Sequence, residues 1–183
     1  MSNETNARFA VNTYAYILDT GMEDCIARLA EHGFRELELM MYPDHLWPPA
    51  MDAGALARLG PLITSLGLTV RTVNQPNVDI NIAGASEEMR SYSRAMVRAQ
   101  VTLAGELGAE GVVMGPGKPN PLFPAPNERM LGWYFAALDE LVPHANACGT
   151  RLLLENMPFS FLPDADGLME SLDRYGAAEI GVV

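Results

Sequence analysis

Arg151-Leu152-Leu153-Leu154-Glu155-Asn156 is the stretch on which the fold turns. Three consecutive leucines followed by an acid and an amide read as a strand buried on both faces, as strands of parallel sheets are. Its C-terminal end delivers a carboxylate to the edge of the sheet where ligands bind in α/β folds. An acid there asks for a reason, and two are available: a site carboxylate, or a structural one held by donors on a neighbouring strand.

Outward from this stretch, short apolar runs alternate with longer amphipathic ones. The spacing predicts strands over 8–14, 36–41, 68–74, 111–114, 151–156 and 180–183, separated by helices over 22–32, 52–66, 87–107, 127–148 and 164–175. Gly33, Gly67, Gly108 and Gly149 stand where helices stop, Ser86 is an N-cap for the long third helix and Asn127 for the fourth. Pro143 predicts a kink or break of the fourth helix near Val142. Strict βα alternation with short helix-to-strand links implies right-handed crossovers and a parallel sheet.

The strand-to-helix connections are long and polar or proline-rich (42–51, 75–86, 115–126, 157–163), whereas the opposite ones are short. Function is therefore expected on one face, as in a (β/α) TIM barrel with its site at the strand C-termini. The chain is read as a single α/β domain over 1–183, a TIM barrel truncated after about six βα units and incomplete at its C-terminus.

Composition narrows the function. The 183 residues carry 12 basic and 23 acidic side chains, a formal charge of −11. Such a charge repels phosphate backbones and anionic membrane surfaces, so no nucleic-acid or membrane partner is expected. Every apolar run is too short or too interrupted to span a bilayer. Cys25 and Cys148 lack metal or disulfide spacing and read as core residues. The first residues carry no secretory signal, which points by default to the cytoplasm.

Three stretches together carry a family resemblance: Glu31-His32-Gly33-Phe34-Arg35-Glu36-Leu37-Glu38-Leu39, Asp79-Ile80-Asn81-Ile82-Ala83, and Leu152-Leu153-Leu154-Glu155-Asn156. In order and spacing the sequence resembles the xylose isomerase-like TIM barrels. This is the sugar (phosphate) isomerase and epimerase superfamily, which also includes inosose dehydratases, hydroxypyruvate isomerases and apurinic endonucleases. The resemblance implies a cytoplasmic enzyme acting by metal-assisted proton transfer next to a carbonyl. It assigns Glu155 as ligand of a divalent metal (Mg, Mn, Co or Zn) and as acid/base.

The remaining ligands that it implies, an aspartate, a histidine or glutamine and a second glutamate, are expected past Val183. Metal binding is thus expected only if those are supplied, and the 183 residues alone are expected to be inactive. An inosose-type dehydratase is the nearest alternative. A non-catalytic sugar-binding or assembly subunit is the alternative of another class. The histidines that the nuclease branch uses after strands three and four are replaced by Asn74-Gln75-Pro76 and Gly115-Pro116-Gly117, which argues against DNA repair.

Around Glu155, the substrate-binding candidates are Asn12, Glu38, His45, Trp47, Asn74, Lys118 and Asn156. Asn12 and Glu38 lie at or near strand ends, each about as readily packing residues as site residues. His45 and Trp47 belong to an aromatic, polar loop suited to covering a polyol or to packing on its own barrel. Lys118, in Gly115-Pro116-Gly117-Lys118-Pro119, is placed to meet a phosphate or carboxylate and is not a P-loop lysine. The implied partner is a small sugar, polyol or keto acid, and a homo-oligomer is compatible with the sequence.

Overall fold

The computed structural model describes residues 8–75, 79–176 and 178–183. Six strands form one all-parallel sheet in sequence order: β1 (Ala10–Asn12), β2 (Glu36–Met40), β3 (Thr69–Asn74), β4 (Gly111–Met114), β5 (Arg151–Leu154) and β6 (Gly181–Val182). The helices between them are α1 (Met22–Glu31), α2 (Ala53–Ser65), α3 (Glu87–Glu106), α4 (Asn127–Ala147) and α5 (Ala165–Tyr175). Sequential parallel pairing with a helix at each crossover is the geometry of a (β/α) barrel wall.

The sheet has two chemically different faces. Leu37, Leu39, Val70, Val73, Val112, Met114, Leu152 and Leu154 point toward the helices and form one continuous core with Ile26, Leu29, Leu59, Val97, Val101, Leu138 and Leu141. Met40, Val113 and Leu153 are equally buried but stand outside that core. They lie on the lumen face, in register through Met40↔Asn74, Asn74↔Val113 and Val113↔Leu153. A Cβ added to Gly111 or to Gly181 would stand 2.5 Å from a Leu153 methyl. The two flanking strands therefore need glycine so that this leucine can fill the lumen between them.

Three expectations about elements change. The first strand ends at Asn12, because the Asn12 side chain accepts from the Tyr14 backbone N–H at 2.6 Å and caps a 3-10 turn over Thr13–Tyr16. The predicted break at Val142 is absent: α4 runs unbroken through Pro143. Proline removes one backbone donor, and Leu141, Val142 and Ala145 keep that stretch seated in the core. Pro126, with extended backbone, occupies the cap position of α4, and Asn127 is its first helical residue. Ser86 caps α3 as expected, accepting from Met89 N–H at 3.2 Å.

Candidate active site

β2 shows how the lumen is organised. Its alternation places Glu36, Glu38 and Met40 on one face and Leu37 and Leu39 on the other. A register shift between Leu37 and Glu38 inserts one extra residue of β3, so that Val70 pairs with Leu37 but Thr72 pairs with Glu38. Glu38 consequently faces both Thr72 and, one strand away on the other side, Asn12.

Three neutral donors converge on the Glu38 carboxylate. Thr72 Oγ1–H donates to Oε2 at 2.6 Å, Asn74 Nδ2 donates to Oε1 at 3.1 Å, and Asn12 Nδ2 donates to Oε1. Asn12 and Asn74 are thus brought to the same carboxylate from two different strands. The donors hold the Glu38 head without a neutralising cation.

Glu155 extends β5 by one rung, its backbone N–H donating to Met114 O at 3.1 Å. It shares the lumen face with Leu153 by the two-residue period of a strand. Burial pushes the Glu155 carboxyl above the ordinary carboxylate value, and the charge of Glu38 pushes it further in the same direction. The Glu155 carboxyl on β5 therefore senses the charge of Glu38 on β2. A carboxylate held by neighbouring strands is what the described hydrogen bonds show for Glu38.

The other residues singled out from sequence fall in different places. His45 is buried, with both ring nitrogens engaged: Nδ1 is 2.8 Å from Thr20 O and Nε2 is 3.0 Å from Thr13 Oγ1. A carbonyl only accepts, so Nδ1 carries the proton and Thr13 donates to Nε2. The same Thr13 oxygen accepts from Met40 N–H at 2.9 Å. Burial lowers the His45 pKa, which keeps the ring neutral in this role. His45 thus ties the connection after β2 to that after β1.

Trp47 is half-buried against the helix-side core and leads into the Pro48–Ala50 turn. Asn156 donates from Nδ2 to Pro163 O at 3.0 Å, closing the connection between β5 and α5. The backbone of Lys118 is clamped by Asn81, whose Oδ1 accepts from Lys118 N–H at 3.0 Å and whose Nδ2 donates to Lys118 O at 2.9 Å. Residues 76–78, including part of the Asn74-Gln75-Pro76 stretch, lie outside the described residues.

Sequence reasoning passed over Thr13, Thr72 and Asn81. A threonine in a strand is ordinary, and only the register shift turns Thr72 toward Glu38. Asn81 had a visible signal: it lies in the Asp79-Ile80-Asn81-Ile82-Ala83 stretch, and a short amide in a connection is a frequent backbone clamp.

A parallel βα wall with polar groups gathered at its strand C-termini is the architecture of the TIM-barrel enzymes. The family comparison makes this specific. The chain belongs to the xylose isomerase-like TIM barrel family, whose model matches residues 26–183. Across 151 residues it is 26% identical to an uncharacterized protein of Methanocaldococcus jannaschii, covering 82% of this chain and 50% of that protein.

Among solved structures, a D-tagatose 3-epimerase-like protein superposes with a TM-score of 0.80 at 24% identity, covering 95% of this chain and 63% of the other. An L-ribulose 3-epimerase gives 0.77 at 21% identity, covering 95% and 59%. A xylose isomerase-like TIM barrel protein from Mycobacterium smegmatis in complex with magnesium gives 0.71 at 15% identity, covering 100% and 65%. At these identities the structural likeness establishes the fold. The chain spans about half the length of its curated relative and about 60% of these structures.

Proposed function

We propose that this chain forms the β1–β6 part of a sugar isomerase or epimerase in which Glu155 moves a proton at the carbon beside a carbonyl. The observation that carries this reading is the half-buried Glu155 carboxylate at the end of β5, held above the usual carboxylate range by its burial and by Glu38. A carboxyl so poised both accepts and returns a proton near neutral pH more readily than an ordinary surface glutamate. Glu38, with its head fixed by Asn12, Thr72 and Asn74, is a further acceptor for substrate hydroxyls.

A divalent cation is the group that the family reading adds. When bound, it would stabilise the negative charge that develops when the proton leaves. Glu155 supplies one oxygen donor of the type that hard cations prefer. Among the described residues, however, no group of three or more His, Cys, Asp or Glu side chains is placed to hold an ion. The described residues therefore do not fit a complete metal site, and no step is routed through one.

The test is turnover of a panel of free and phosphorylated ketoses, with and without Mg²⁺ or Mn²⁺, by the protein that carries this chain and by its Glu155→Gln variant. Turnover that falls with the substitution while the fold is retained supports the assignment. Undiminished turnover in the variant rejects it.

A further inference from the structure

Lys118 is the only lysine in the chain, against eleven arginines. It is also the only lysine or arginine in the five strand-to-helix connections, 13–21, 41–52, 75–86, 115–126 and 155–164. Those same connections carry Asp19, Asp44, Asp52, Asp79, Glu155 and Asp164. These five connections therefore offer an incoming anion a single basic side chain of their own. Arg90 reaches the same region from α3, but its guanidinium is buried. It is spent on Gly84 O at 2.7 Å, Ala85 O at 3.0 Å, Glu87 and the ring of Trp133.

The position of Lys118 is built, not incidental. Asn81 Oδ1 accepts from Lys118 N–H and from Ala83 N–H, at 3.0 and 3.2 Å, while its Nδ2 donates to Lys118 O. Asn81 is itself fixed to α3, its N–H donating to Ser93 Oγ at 2.7 Å. Gly117 has φ +104, and a Cβ there would lie 2.7 Å from Asn81 Oδ1 and 2.8 Å from Ala83 Cβ, so only glycine admits the clamp. On the other side, Gly117 O accepts from Phe161 N–H at 3.2 Å, tying the loop to the connection that begins at Glu155. The main chain of the lysine is thereby fixed between the connections after β3 and β5.

The lysine lines a groove of about 530 Å³ together with Asp79, Asn81, Ser86 and Asn120, with Met89 and prolines supplying apolar wall. No salt bridge neutralises Lys118 among the described residues, Asp79 included. The Asp79 carboxylate and the Asn120 side-chain N–H groups suit the hydroxyls of a polyol. A compact ammonium without a partner suits an anionic oxygen.

We infer that Lys118 and this groove recognise the anionic group, phosphate or carboxylate, of a sugar substrate, so that the enzyme prefers anionic sugars to neutral ones. This rests on the sugar reading given under Proposed function, and it concerns the substrate's far end, not the reacting carbon.

Reductive ¹³C-methylation preserves the charge, and the Lys118 resonance, assigned by its absence from Lys118→Gln, is followed while D-fructose 6-phosphate, D-gluconate, D-fructose or inorganic phosphate is added. A saturable shift with the phosphorylated sugar identifies phosphate, and one with gluconate identifies carboxylate. D-fructose is expected to give none. In unmodified protein, Lys118→Gln is expected to weaken binding of the effective anionic sugar about tenfold or more and to leave D-fructose unchanged.

The inference is overturned if neither anionic sugar shifts the resonance. It is equally overturned if D-fructose shifts it as much, if inorganic phosphate binds as tightly as the anionic sugar, or if Lys118→Gln binds that sugar undiminished. Because the signal is read at Lys118, it persists in Glu155→Gln. Loss of the shift and failure of the Glu155 assignment are therefore separate results.

Discussion

Glu36 and Glu38 stand two residues apart on the same face of β2, yet the two ends of the lumen treat them differently. At the lower end, Arg71 pairs with Glu36 at 2.6 Å and also with Glu110, and the guanidinium pulls the Glu36 carboxyl below the ordinary carboxylate value. Two residues on, Glu38 meets neutral donors among the described residues, and its charge is left to push Glu155 upward. The apolar belt of Met40, Val113 and Leu153 follows on the C-terminal side of Glu38. On one strand, a carboxylate paired with a cation thus stands two residues from one held by neutral donors.

The strongest way to break the contrast is at its reactive end. Glu155→Gln removes the proton-transfer group, and turnover of the preferred sugar is expected to fall about 10²–10⁴-fold, the range for loss of a general acid/base. The matching Glu36→Gln variant is expected to leave turnover unchanged. Steady-state assays of the two variants side by side check the assignment of both ends.

The belt comes next. Leu153→Ala opens a void between Gly111 and Gly181 and is expected to cost about 2–5 kcal/mol, measured by urea denaturation. Glu38→Leu leaves the donors of Asn12, Thr72 and Asn74 without their acceptor, and about 1–3 kcal/mol is expected to be lost. Glu38→Gln is the gentler change, since an amide oxygen still accepts. It removes the charge beside Glu155 and should lower the Glu155 pKa.

The pH dependence of stability differs in sign between the ends. A carboxyl raised in the folded state binds its proton more tightly there than in the unfolded chain. Glu155 therefore subtracts stability as pH rises from 4.5 toward its raised value. Glu36 is lowered, so its contribution is present above 4.5 and is lost as pH falls through its depressed value. With chelator present, wild type minus Glu155→Gln should show the first slope and wild type minus Glu36→Gln the second. The smallest effect belongs to Arg71→Met, whose ion pairs are exposed. The urea midpoint should move slightly, and the difference should vanish in high salt.

Much of the architecture was legible because hydrophobic period and helix stops are local signals. Leu152-Leu153-Leu154 announced a buried parallel strand, and Gly33, Gly67, Gly108 and Gly149 marked the ends of helical stretches, all four with positive φ. Asn12 and Pro143 were harder. Whether Asn12 continues a strand or caps a turn depends on the competition between its side chain and the ladder, and whether a proline breaks a helix depends on the packing around it.

The contacts among the proposed site residues were less legible than the fold. Sequence placed Asn12, Glu38, Asn74 and Glu155 near one mouth. The grouping of three donors on Glu38 follows from a register shift that no residue pattern announces. His45 stood in a loop suited either to covering a polyol or to packing on its own barrel, and the fold engages both its nitrogens with Thr13 and Thr20. The clamp of Asn81 on Lys118 joins residues 37 positions apart, a distance over which single-sequence patterns are silent.

The account stands most directly on the difference between the two carboxyls. Residue-resolved ¹³C NMR titration of the glutamate carboxyl carbons in metal-free protein measures both at once. Glu155 is expected to titrate above 4.5 and Glu36 below it, and Glu38→Gln should move Glu155 downward while leaving Glu36 in place. A Glu155 that titrates at or below the ordinary value, unmoved by the loss of the Glu38 charge, would contradict the account.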